Sequence, residues 1–215
     1  PVMEGPTPRQ PFTYSSMVLS RSSELDAINT MLSAIGVPSE ASVTDLNGEA
    51  AIAQTVLREV SRAVQSIGWH FNTEVERSYS PSVADGYIEL GTNVVRVDQT
   101  DGKYTDIDVC QRGARLYDRK ANTFVFADAV EVSQVVLLDW LDLPEPARAY
   151  IIQRATRIFK DRLRADNRGR QSLPSSEEMA AQATLKQMES DTADHSIFNS
   201  QVTYAVIDRE SNTFI

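Results

Sequence analysis

The chain has 215 residues, 41% hydrophobic and 24% charged, with a net charge of −9. That composition suits one sizeable globular domain or two small ones, and the acidic balance argues against gripping nucleic acid, which needs clustered Lys and Arg. The single cysteine, Cys110, excludes an internal disulfide and a cysteine-based zinc site; no run approaches the roughly eighteen apolar residues of a membrane span. There is no basic-then-apolar signal pattern at the N-terminus, and synthesis in a reducing cytoplasm is expected.

Residues 1–22 read as an extended arm. Pro1, Pro6, Pro8 and Pro11 fall within it, and proline fixes φ and removes a backbone donor, so a regular helix is ruled out. A strap across its own domain and a hold on a neighbouring subunit both fit this segment. Ser23–Ile35 is a predicted helix, with Ser23 as cap, Asp26 in the first turn and a stripe of Leu25, Ile28, Leu32 and Ile35. Gly36 and Pro38 stop it.

A second amphipathic pattern runs from Asp45 to Ile67, with Ile52, Val56, Val60, Ala63 and Ile67 taken as its apolar face. Gly68 then supplies the left-handed cap that a residue without Cβ adopts cheaply. Trp69 and Phe71 follow on alternate positions, an arrangement expected to anchor the last helical turn into a core, with Trp69 buried there. His70 between them should face outward.

From about Tyr79 the period changes. Tyr87–Leu90, Asn93–Gln99, Tyr104–Gln111, Ala114–Asp118, Thr123–Ala127 and part of Val130–Leu138 are predicted strands, with Asp101-Gly102 as a hairpin signal. Successive strands without intervening helices imply an antiparallel sheet or small barrel. Helix returns at Pro144, with Ala147, Ile151, Ala155, Ile158 and Phe159 inward. Ser175 and Glu178 have capping-box spacing for a last helix reaching about Asp194. The fold class is therefore α+β, a helical bundle with an inserted antiparallel sheet or small barrel. The expected segments are 1–22 (arm), 23–78 and 141–195 (helical domain), 79–140 (inserted β domain) and 196–215 (tail, with Phe198, Tyr204 and Phe214 as anchors).

Catalytic constellations are lacking. A serine or cysteine nucleophile needs a base and an orienting group, yet there is no G-x-S-x-G segment and Cys110 lies in a predicted strand. Only His70 and His195 could serve as imidazole bases. Asp98, Asp101, Asp106 and Asp108 crowd one hairpin, but their spacing does not fit a calcium loop, and an acidic edge that deters strand pairing explains them. No glycine-rich phosphate loop is present, and no carboxylate pair can be singled out for glycoside hydrolysis. The chain is read as a non-enzyme with no cofactor and no metal. The charge outlier is Pro144–Arg170, with eight basic and three acidic residues. Arg154, Arg157, Arg164 and Arg168 form a stripe placed opposite the apolar face. Arginine forks pair well with carboxylates, so this stripe, with Phe198, Tyr204 and Phe214, is the expected subunit interface.

Certain segments carry a family resemblance: Leu25-Asp26-Ala27-Ile28-Asn29 leading to Ala34-Ile35-Gly36-Val37-Pro38; Gln65-Ser66-Ile67-Gly68-Trp69-His70-Phe71-Asn72; Asn93-Val94-Val95-Arg96-Val97-Asp98; Arg112 to Arg119; and Leu143-Pro144-Glu145 with Arg148-Ala149-Tyr150-Ile151 and Arg154-Ala155. In this order and spacing the chain resembles the tail tubular protein A family, the head-to-tail adaptors of short-tailed phages, over about residues 23–165. The resemblance implies a structural virion protein, made in the host cytoplasm and placed at the head–tail junction. Its copies would form a ring, a dodecamer, between the portal protein and the tail nozzle (tubular protein B), with tail fibres attached nearby. DNA would pass through the ring's channel without specific binding, and no membrane would be involved. The proline-rich start and the tail after Phe198 have no counterpart in the pattern. A tail-borne hydrolase that degrades cell wall or polysaccharide is the alternative from a different class.

Overall fold

The structure is a computed structural model that describes residues 20–100, 106–163 and 172–192. Among the described residues, four α-helices and five strands follow one another as α1 (Glu24–Ser33), α2 (Gly48–Gln65), β1 (Thr73–Tyr79), β2 (Val94–Gln99), β3 (Val109–Arg112), β4 (Arg115–Asp118), β5 (Val130–Val136), α3 (Glu145–Leu163) and α4 (Ser176–Thr192). The class is α+β with antiparallel sheets, as the switch of period implies. One sheet has the order β1-β5-β2, and β3-β4 form a separate hairpin.

Local chemistry fixes the helix ends. The Ser23 hydroxyl accepts from the Asp26 N–H at 3.1 Å while Asp26 accepts from the Ser23 N–H at 2.9 Å, a reciprocal capping box. The Ser23 hydroxyl, which donates to Asp26 Oδ2 at 2.6 Å, and then the Ser23 N–H hold the Asp26 carboxyl below its usual range. Ser175 caps α4 through the Glu178 N–H at 3.1 Å, but the Glu178 side chain does not return to the cap. Pro144 stands one position ahead of α3, and its carbonyl accepts from Ala147 and Arg148 at 3.0 and 3.1 Å.

Side chains from all four helices meet in one core: Ile28, Met31 and Leu32 from α1, Val56, Leu57, Val60 and Val64 from α2, Tyr150, Ile151 and Phe159 from α3, and Leu185 from α4. Each large apolar side chain fully buried this way contributes roughly 1.5–3 kcal/mol. The inward face of α2 is rotated from the predicted one. Val56 and Val60 are shared, but Ile52 and Ile67 are 40% and 55% exposed and Ala63 is exposed. Ala50, Ala53, Leu57 and Val64 take their places, because small alanines near the start of α2 let the neighbouring helices approach closely.

A second core joins Ile88, Leu90, Val94, Val97, Val109, Leu116, Phe126, Val130, Val132 and Val136. β2, β4 and β5 fall within predicted strands. β3 overlaps its prediction but ends at Arg112, with residues 106–108 outside regular strand. The predicted strands at 87–90 and 123–127 are only isolated bridges, Tyr87 with Val125, Glu89 with Arg115, and Asp118 with Thr123. Their backbones are engaged piecemeal, as where Leu116 donates to Ile88 at 3.0 Å and Phe126 donates to Gly86 at 2.9 Å. β1 was not predicted. It starts six residues before Tyr79 on an edge of the sheet, and Glu74 through Ser78 are exposed, so it lacks the alternation that burial imposes on sequence. A bulge between Glu74 and Arg77, with Glu76 at φ 55°, interrupts its pairing with β5. Such bulges and charges blunt an edge against strand addition. Asp101-Gly102 lies outside the described residues.

Candidate assembly surfaces

The segment from Gln65 to Asn72 is the joint between helices and sheet. Gly68 has φ +83°, and a Cβ there would lie 2.5 Å from Arg96 Nη2 and 2.9 Å from Val135 Cγ2. Glycine is therefore required both by backbone conformation and by the close approach of β2 and β5. Asn72, 1% exposed, donates through Nδ2 to Gln65 O at 2.9 Å and Val136 O at 2.8 Å, and its Oδ1 accepts from Trp69 N at 2.8 Å. Gln65 donates to Leu138 O at 3.2 Å and accepts from Leu138 N at 2.7 Å. Two buried amides thus bind the end of α2 to the strand leaving the sheet, with their hydrogen bonds made. A network of this kind specifies one orientation.

Trp69 is only half-buried, a correction to the expectation of full burial. Its indole N–H donates to Val64 O at 2.8 Å, and its ring stacks on Phe71 at 6.5 Å with 6° between planes. The indole must reach a backbone carbonyl at the last helical turn, which keeps it at the margin of the core. His70 is exposed, and its N–H donates to Glu189 at 2.6 Å, tying α4 to the joint.

The arginine stripe is not free in the way the sequence suggested. Arg157 is folded inward, with its side chain 17% exposed beside Glu178 at 4%. Its Nε and Nη2 contact the two Glu178 oxygens at 2.6 and 3.1 Å, and Nη1 donates to Ser172 O at 3.0 Å. The neighbouring carboxylate holds the guanidinium further toward its charged form. The placement opposite the apolar stripe is thus corrected: α4 covers that flank of α3, and Arg157 fastens it. Arg154 is half-buried and donates to the Tyr150 hydroxyl at 2.9 Å. Arg164, Arg168, Phe198, Tyr204 and Phe214 lie outside the described residues.

Sequence reasoning missed Arg148, which is 0% exposed at the start of α3. Its Nη2 donates to Leu141 O at 2.6 Å and its Nη1 to Ser22 O at 3.0 Å, with Glu145 at 3.7 Å. The Trp140 indole donates to the same Ser22 carbonyl at 2.9 Å, and Ser22 N donates to Glu145 at 3.2 Å. The point where residues 1–22 join the body is therefore pinned from two sides. Nothing in the local pattern marks Arg148 as buried, because arginine is rarely so.

Apolar side chains are left exposed on both parts of the molecule. Leu141, Leu173 and Met179 are 66%, 89% and 55% exposed beside the helices, and Val75, Val83 and Val125 are 70%, 105% and 52% exposed on the β side. On the outside of the hairpin, Arg112 lies 3.5 Å above the Tyr117 ring and Arg115 lies 4.5 Å above Tyr87. Of the predicted acidic hairpin, Asp108 pairs with Arg119 at 2.8 Å and Asp98 accepts from the Gln99 N–H at 2.9 Å, while Asp101 lies outside the described residues. Among the described residues, no group of three His, Cys, Asp or Glu could hold a metal ion, and no helix is long and apolar enough to cross a membrane.

These features define an α+β fold in which buried polar networks fix the helices and the sheet to each other. The tail tubular protein family model (Tube) matches residues 25–195, and tail tubular protein A of Klebsiella phage KP34 is 34% identical over 135 residues, covering 62% of this chain and 69% of the relative. The chain belongs to the tail tubular protein family and so to the structural components of a phage tail.

Proposed function

We propose that this chain is the adaptor subunit of a short tail, forming a closed ring, a dodecamer, between the portal protein and the nozzle protein (tubular protein B) and lining the channel through which DNA leaves. The observation that carries the reading is the family match, which spans both the helices and the β elements. Physical features support it. A ring needs a heterologous interface, in which two different surfaces of one subunit meet, and exposed apolar side chains lie on two separate parts of this chain. The net charge of −9 suits a channel that DNA must traverse without sticking.

In this reading the four helices are the body of the subunit and the β elements a lobe inserted in it. Arg154, Arg164, Arg168, Phe198, Tyr204 and Phe214 are assigned to contacts with neighbours, and the tail fibre to the nozzle-facing side. Arg157 is left out because its guanidinium is engaged within the chain. No catalysis is assigned. The test is assembly in solution: purified protein is mixed with the portal protein of the same phage and its mass followed by light scattering. A complex of fixed stoichiometry supports the reading, and a portal mass that does not change refutes it.

A further inference from the structure

The outer face of the β3-β4 hairpin carries a row of aromatic rings and guanidinium groups. Arg112 and Arg115 are register partners, and Cys110 and Tyr117 are the pair two positions on. Alternation puts these four on one face, with Leu116 on the other, in the β core. Arg112 lies 3.5 Å above the Tyr117 ring and Arg115 4.5 Å above Tyr87. Phe124 meets both rings edge-on, with centroids at 4.8 and 6.4 Å. Stacking fixes the guanidinium planes and leaves the N–H groups at their edges for carboxylates. Among the described residues no carboxylate pairs with Arg112, and Arg115 has Glu89 at 3.7 Å, a solvated contact of little worth. Val125, 52% exposed, is bridged to Tyr87 beside them. Residues 109–120 hold four basic residues and one acidic, Asp118, which is buried, so this face is cationic in an otherwise acidic chain.

A surface of opposite charge lies on the helical body. Between β5 and α3, Asp139-Trp140-Leu141-Asp142 forms a knob in which Leu141, 66% exposed, stands between two exposed carboxylates, Asp139 and Asp142. The knob is held from within. Leu143 is buried in the helical core, the Trp140 indole donates to Ser22 O at 2.9 Å, and Arg148 Nη2 donates to Leu141 O at 2.6 Å. The buried Arg148 thus fixes the backbone of a surface feature, and a preorganised knob loses little freedom on binding. Among the described residues no cation pairs with Asp139 or Asp142. Knob and hairpin are both exposed in the single chain, so neither covers the other.

We propose that the knob of one copy seats on the hairpin face of the next, with Leu141 against Val125 and the carboxylates of Asp139 and Asp142 on Arg112 and Arg115. Charge complementarity selects this occupant. Copies of a chain with net charge −9 repel one another, and here unpaired carboxylates of one copy meet stacked guanidinium groups of the next. Two different surfaces of one subunit then join, which is the heterologous contact a closed ring requires. This inference rests on the ring reading and names one of its interfaces.

The test is charge reversal with exchange. One full-length variant carries Arg112→Glu with Arg115→Glu, the other Asp139→Lys with Asp142→Lys. Each is mixed with the portal protein and followed by light scattering, with thermal unfolding as the check that it is folded. Either variant alone should lose the ring mass that the parent gives. An equal mixture of the two should restore it, because in a ring of even copy number alternating subunits join either two native surfaces or two reversed ones. Ring mass from either variant alone, or no recovery in the mixture, overturns the proposal, while rings of the parent leave the ring reading standing. A parent that forms no ring on the portal removes that reading and this inference with it. A second measurement decides the matter if a reversed variant is unfolded. Leu141→Cys and Val125→Cys in a Cys110→Ser background are assembled on the portal and exposed to oxidised glutathione, which is reduced as each pair of thiols is oxidised to a disulfide. The expected result is a ladder of disulfide-linked copies on a non-reducing gel. Monomer only, or a cross-link to the portal protein, overturns the proposal.

Discussion

Asn72→Ala should be among the most damaging single substitutions outside the apolar cores. The side chain is 1% exposed and makes three short hydrogen bonds, to Gln65 O, Val136 O and Trp69 N. Gln65 O keeps a second donor, the Gly68 N–H at 3.1 Å, so its loss is partial, whereas Trp69 N loses the partner that Asn72 provides. Taking roughly 0.5–1.5 kcal/mol for each of the two carbonyl bonds and 1–3 kcal/mol for a stranded buried donor gives about 2–6 kcal/mol. For a domain of this size that corresponds to a fall in Tm of about 4–24 °C. Asn72→Asp should cost more, since a carboxylate would face two carbonyl oxygens with no proton to donate. Urea denaturation at pH 7, followed by circular dichroism, measures both variants. A lower midpoint with an unchanged slope is expected. If Asn72→Ala lies within about 0.5 kcal/mol of the parent, the joint is not held by this amide and the reasoning fails.

Gly68→Ala places a methyl against Val135 Cγ2 at 2.9 Å in a left-handed backbone and should cost at least about 1–2 kcal/mol, with thermal unfolding as the check. Trp69→Ala should cost about 2–3 kcal/mol, below the range for a fully buried tryptophan, because the ring is half-exposed; parental stability would contradict its contact with Val64 and Phe71. Arg157→Ala leaves the Glu178 carboxylate buried without its partner and should cost about 3–5 kcal/mol, while Arg157→Met with Glu178→Gln should recover much of that loss; hydrogen exchange in α4 distinguishes the two outcomes. The Asp26 carboxyl is held below its usual value by Ser23, so its contribution is present above the unfolded-state pKa of about 4 and is lost as pH falls through the lower folded value. Asp26→Asn should flatten that part of the acid limb of Tm against pH, and an unaltered limb would show that the cap carries no charge-dependent stability.

Much of this architecture was legible because burial leaves a period in the sequence. The cap at Ser23, the stop at Gly36, the turn at Gly68 and the inward face of α3 were all readable, since each rests on one residue type doing what few others can. β1 was not, because an edge strand exposed from Glu74 to Ser78 has no apolar alternation to report it. The α2 face was misplaced because Ile52 and Ile67 are larger and more apolar than the alanines that do the packing, and periodicity weighs hydrophobicity rather than fit. The arginine stripe was misjudged for a related reason. A helical wheel shows which residues share a face, but it cannot show that α4 returns to cover that face and bring Glu178 onto Arg157. Gln65, Asn72 and Arg148 all stood in segments that carried the resemblance, yet their roles depend on partners at distant positions, such as Leu138, Val136 and Ser22, and no local pattern encodes those.

Whether copies of this chain form the ring joining portal to nozzle is decided by electron cryo-microscopy of the intact tail. The expected result is a closed ring of density at the distal face of the portal, each unit accepting α1–α4 and the β1-β5-β2 sheet, with acidic side chains toward the DNA channel. Density for this fold found only away from that junction, in a fibre or free of the portal, would contradict it.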